Sequence, residues 1–104
     1  MSWNAIPLRG AASISRVANI YEVQDLRAPS TRYRIKVLER ALGDFLAVPN
    51  LCVKTRTGEP DWIAGLGRTE LEALEDAIAR MGEALGAAER LTPDDFEWSD
   101  PHDF

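Results

Sequence analysis

The chain has 104 residues, 45% hydrophobic and 28% charged, with a formal net charge of −5. That length supports one domain, burying roughly two-thirds of its unfolded surface without disulfide or metal staples. No apolar run approaches the roughly 20 residues that a bilayer demands, the first ten residues lack an apolar signal core, and Cys52 as the single cysteine excludes an internal disulfide, so a cytoplasmic protein is expected.

Charge is divided unevenly. Residues 1–69 carry ten basic and six acidic side chains, whereas residues 70–104 carry two and eleven. Such polarity steers a partner or promotes self-association. The acidic isoelectric point, about 4.8, disfavours general nucleic-acid binding.

Residues 1–16 are expected to be an arm that orders by docking, since they mix Pro7 and Gly10 with isolated apolar residues. Residues 14–24 admit two readings: their β-branched content favours a strand over Val17–Val23, while the spacing of Ile14, Val17 and Tyr21 fits a helix. After a turn at residues 27–31, Tyr33, Ile35 and Val37 alternate with Arg34, Lys36 and Leu38 as in a half-buried strand. A second strand runs from Phe45 to Val48, is interrupted at Pro49-Asn50 and resumes from Leu51 to Lys54, with the proline marking a bulge or an edge. A turn at residues 57–60 leads to a third strand over Trp62–Leu66.

Thr69 and Glu72 have the spacing of a capping box, in which the threonine hydroxyl takes one free N–H and the glutamate reaches back to the threonine N–H. The helix that follows, Glu70 to Leu85, places Leu71, Leu74, Ile78, Met81 and Leu85 at helical spacing. The expected fold is α+β: an antiparallel β-meander of three or four strands packed on one long α-helix. Its core is expected to hold Trp62, Ile35, Val37, Phe45, Leu74, Ile78 and Met81. Residues 1–90 form the domain, and residues 91–104 an acidic, aromatic C-terminal tail.

Little here predicts catalysis. His102 lies near a chain end among acids, and one cysteine with one histidine makes neither a nucleophile dyad nor a zinc site. Cys52, between Leu51 and Val53, is expected to be a small core residue. The pair Gly65 and Gly67 lacks the third glycine of a dinucleotide fingerprint, because Glu70 stands there. No cofactor or metal is expected, and the chain is read as a non-enzyme.

Two segments carry a family resemblance. Val48-Pro49-Asn50-Leu51, followed after a hairpin by Gly67-Arg68-Thr69-Glu70-Leu71-Glu72-Ala73-Leu74-Glu75-Asp76-Ala77, resembles HicB-like antitoxin domains across residues 33–85. Such domains pair a "P-D-L-P-G" turn with a "G-x-T-x-x-E-A-L-x-x-A" helix start. Here Asn50 stands for the aspartate, the second Pro-Gly is missing, and no DNA-binding half follows the helix. The resemblance implies a β-β-β-α fold and binding to a small basic toxin.

The functional expectation is a non-catalytic protein-binding module, an antitoxin- or immunity-type neutralising partner of a basic protein. Asp94, Asp95, Phe96, Trp98 and Asp100 are the candidate contacts, because aromatic anchors ringed by carboxylates suit a basic surface. The alternatives are a nucleic-acid-binding module using Arg32, Arg34, Lys36, Lys54 and Arg56, and a self-associating subunit, a homodimer in its closed form.

Overall fold

The structure, a computed structural model, describes residues 2–87 and 91–104. It is an α+β fold of seven strands and one long helix: β1 (Ser15–Gln24), β2 (Arg32–Arg40), β3 (Phe45–Pro49), β4 (Leu51–Lys54), β5 (Pro60–Asp61), β6 (Gly65–Gly67), α1 (Glu70–Gly86) and β7 (Phe96–Trp98). Strands β1-β2-β3-β6 form a four-stranded antiparallel sheet, and β5-β4-β7 form a second, smaller one. No described helix is long and apolar enough to cross a membrane.

Residues 14–24 resolve as strand. β1 begins at Ser15, inside the expected arm, and carries a bulge between Val17 and Asn19. The meander is as expected except at its third strand. Only Gly65–Gly67 pairs with β3; Pro60–Asp61 pairs with β4, and Trp62 lies between the two ladders. The expected domain boundary at residue 90 lies outside the described residues.

Pro49 sits within β3 and is buried, and its position explains why it is tolerated there. Asn50 N donates to Arg34 O at 2.9 Å, so residue 50 points its N–H at β2 and residue 49 faces the other way. On that side β6 pairs only as far as Ala47, so no ladder bond is forfeited. Asn50 is also the corner between the sheets. Its Oδ1 accepts from Arg34 N at 2.9 Å and its carbonyl accepts from Ser99 N at 2.8 Å.

α1 is capped almost as predicted. Glu72 N donates to Thr69 Oγ1 at 3.1 Å, but the Glu72 carboxylate takes the N–H of Arg68, at 2.9 Å, rather than that of Thr69. The helix is further tied to the sheet by two carboxylates. Glu70 accepts from Asn19 Nδ2 at 2.7 Å and from the Tyr21 hydroxyl at 3.0 Å. Asp76 accepts from Leu66 N at 3.0 Å, which occupies a donor on the free edge of β6.

The buried stripe differs from the expected one. Ala73, Ala77, Met81 and Leu85 face the sheet, while Leu71 is 68% and Ile78 40% exposed and Leu74 packs at the margin. The cause lies in β6. A Cβ on Gly65 would stand 2.5 Å from Ala77 N, and one on Gly67 would stand 2.5 Å from Ala73 N. The helix therefore rests on a glycine floor at a distance that only alanines fit, and this rotates the leucine-isoleucine stripe onto a flank. Ile35, Val37 and Met81 are buried as expected, Phe45 partly so, and Trp62, at 46% exposure, is not a core residue. Ile35, Leu51, Met81 and Leu85 are the largest enclosed side chains, each worth about 1.5–3 kcal/mol of burial.

This packing separates the seven described glycines by cost. Gly65→Ala forces the helix off its floor and is expected to cost about 3 kcal/mol. Gly82, inside α1 with open space around its Cα, should gain up to about 1 kcal/mol as Gly82→Ala. Urea unfolding of the two variants should move the midpoint in opposite directions.

Candidate functional site

The four-stranded sheet has one covered face and one open face. Toward the helix lie the cross-strand rows Asn19–Val37–Ala47–Gly65 and Tyr21–Ile35–Pro49. Because side chains alternate, the row beside the first of these, Val17–Leu38–Leu46–Leu66, points the other way, and it is apolar across all four strands. Its ends are bare: Val17 is 51% and Leu66 54% exposed. The next row, Ile20–Lys36–Val48, is apolar apart from the lysine, and Glu22–Arg34–Asn50 closes the face with polar groups.

The C-terminal segment covers part of this open face. β7 extends the second sheet by pairing Phe96, Glu97 and Trp98 with Val53, Cys52 and Leu51. Two short 3-10 turns flank it. In the first, Pro93–Asp95, the Asp95 carboxylate accepts from Thr92 N at 2.7 Å and from Thr92 Oγ1 at 3.0 Å. In the second, Pro101–Asp103, Asp100 Oδ1 accepts from His102 N at 2.9 Å. Lys36 then fastens the end of the segment: its ammonium donates to the Asp103 carbonyl and lies 4.7 Å from the centroid of the Phe104 ring, a cation–π contact.

Between this segment and the sheet lies an open groove of about 550 Å³, walled by Trp62, Trp98 and Phe104 and floored by Leu38 and Val48. Glu97, Asp100 and Asp103 stand at its rim. Among the described residues no ion pair reaches these three carboxylates.

The five residues expected as contacts are thus sorted by the fold. Trp98 and Asp100 line the groove. Phe96 is buried in the core and presents nothing outward. Asp95 is occupied with Thr92, whose N–H and hydroxyl hold its carboxyl below the usual range. Asp94 is exposed outside the groove. Phe104, Glu97 and Asp103 join the site without having been expected as contacts, and so does Trp62, which was expected in the core. Trp62 was hidden by its place in an expected core strand, whereas Phe104, in the acidic, aromatic C-terminal segment, could have been found from composition alone.

The basic strand face is mostly spoken for. Arg32 and Arg34 lie 4.0 and 3.9 Å from Glu22, and Lys36 is held by the C-terminal segment. Arg16 pairs with Glu39 at 2.6 Å, Arg27 with Asp25 at 2.8 Å, and Arg40 with Asp44. Cys52 is buried, as its apolar neighbours imply, and burial pushes its thiol pKa up, which opposes reactivity. Among the described residues no group of three or more His, Cys, Asp and Glu side chains is placed to hold a metal ion.

The Asp95 pairing gives the turn that opens the C-terminal segment a pH dependence. A carboxyl with a lowered pKa adds stability above its unfolded value, about 3.9, and loses it as pH falls through the folded value. The Thr92 amide should therefore stay protected from exchange between pH 7 and about 4 and lose protection below that. In Asp95→Ala the loss should already be present at pH 7, as read by amide hydrogen exchange.

Compared with protein-family models, curated proteins and solved structures, the chain matches none of them.

Proposed function

We propose that this protein is a non-catalytic protein-binding module that engages a basic partner through the open face of its four-stranded sheet. One observation carries the reading: a continuous apolar row, Val17–Leu38–Leu46–Leu66, crosses a sheet face on which no helix lies. A one-layered apolar face is a normal docking surface and a costly thing to leave in water. The overall charge of −5 favours a basic partner. Neutralisation of such a partner, in the antitoxin or immunity manner, is the role this reading implies, and it agrees with the resemblance to HicB-like domains.

A second reading, self-association, is supported by the extent of the surface. The accessible area is 7247 Å², against roughly 5,800 Å² for a monomer of this mass. The radius of gyration is 15.2 Å, against about 13 Å for a compact domain of this length. The excess is more than the roughly 800 Å² that each partner buries in a standard interface. Nucleic-acid binding has weaker support, because Arg32, Arg34 and Lys36 have partners within the chain, which leaves only Lys54 and Arg56 of its five residues without an ion pair among those described.

The double variant Ile20→Thr, Leu66→Thr tests the reading, since both positions are exposed on the open face and threonine keeps strand preference. Affinity capture with the wild-type chain should retain a basic protein in stoichiometric amount. The variant should bind it roughly tenfold more weakly or worse, with an unchanged melting curve. Equal capture by both chains, or by neither, overturns the assignment. Sedimentation of the wild-type chain alone as a dimer that the variant lacks would establish the second reading instead.

A further inference from the structure

We infer that the groove beside Trp98 is a receptor for one cationic side chain, an arginine presented by a basic partner protein. This rests on the partner-binding reading above and specifies what the surface recognises. The walls supply the first argument. Trp62, Trp98 and Phe104 line one cavity of about 550 Å³, which is ample for a single long side chain. Aromatic faces attract cations, and a planar guanidinium stacks on them while its N–H groups remain free.

The second argument is charge. Glu97, Asp100 and Asp103 line the same groove against a single ammonium, that of Lys36. Among the described residues none of these carboxylates makes an ion pair, so the site carries more carboxylates than cations. Asp100 spends only Oδ1 on the His102 N–H, which leaves Oδ2 for an incoming donor. An arginine with five N–H groups can stack on a wall and reach the rim at the same time, whereas a neutral side chain would leave the rim unanswered.

The third argument is an occupant already in place. Lys36 lies over the Phe104 ring at 4.7 Å and donates to the Asp103 carbonyl. The chain's own cation thus uses one end of the groove in the manner assigned to the ligand: face of a ring on one side, an oxygen acceptor on the other. Lys36 is then both a demonstration of the chemistry and a competitor for it.

The test is a titration of the ¹⁵N-labelled full chain with argininamide, using citrullinamide as control. Both probes carry the same α-ammonium, so only the side-chain charge differs. The indole N–H signals of Trp62 and Trp98 should move saturably with argininamide while that of Trp3, outside the groove, stays fixed. Citrullinamide should bind about tenfold more weakly or worse. Glu97→Gln should weaken argininamide severalfold with no change in the melting curve. Equal responses to the two probes, or no movement of either indole, overturn the assignment. If argininamide fails while the chain still captures a basic protein through Ile20 and Leu66, the groove is excluded and the binding module stands.

Discussion

The close seating of α1 on Gly65 and Gly67 constrains almost everything else in the molecule. With no side chain on the floor, Ala73 and Ala77 come down onto the backbone of β6, and the helix can bury wide residues only farther along, at Met81 and Leu85. A helix held this low lies along β6 and β3 and cannot swing outward. Its capping and tethering carboxylates follow from the same geometry: Glu72 meets the Arg68 N–H, Asp76 the Leu66 N–H, and Glu70 the polar groups of Asn19 and Tyr21. Glu72 and Asp76 are acceptors placed against donors at the glycine turn, and Glu70 is one placed against side chains of β1.

That arrangement also accounts for the charge asymmetry of the chain. Much of the acidity of its last third is spent internally, on backbone N–H groups and on Arg80, which sits 3.2 Å from Asp76. Of the carboxylates left over, Glu97 and Asp103 lie with Asp100 at the groove where the C-terminal segment crosses the open sheet face, while Glu75 and Glu83 stay on α1 and Asp94 lies outside the groove. The basic residues of the strands have a complementary fate, paired within the sheet or, for Lys36, drawn to the segment. A chain that is bipolar in composition is in structure a four-stranded sheet whose cations are mostly paired, with a local excess of carboxylates at one groove.

Asn50 connects the two halves of the fold. By answering both the N–H and the carbonyl of Arg34 and then accepting from Ser99, it lets one continuous strand leave the first sheet and enter the second. The C-terminal segment consequently has a strand to pair with, and Trp98 is carried to the edge of the open face rather than trailing in solvent. Phe96, two residues earlier on the same strand, goes into the core and anchors the segment.

The sequence by itself determined β2, the β3–β4 stretch and α1 in their order, while it left residues 14–24 between strand and helix and gave no sign of β7. Alternation in Tyr33–Leu38, the Thr69 and Glu72 cap and the helical spacing after it are local signals, set by backbone geometry within a few residues. It also determined the small core role of Cys52 and the α+β class. Which helical face is buried was decided only by the tertiary structure, because Ala73 and Ala77 become core residues through the absence of side chains on a strand they do not precede in any periodic pattern. The same holds for Trp62, left between two ladders, and for the groove, whose walls come from segments about forty residues apart in sequence. Hydrophobic spacing records what an isolated helix or strand would bury; how closely two elements approach, and therefore which residues remain outside to meet a partner, depends on steric contacts that only the packed chain makes.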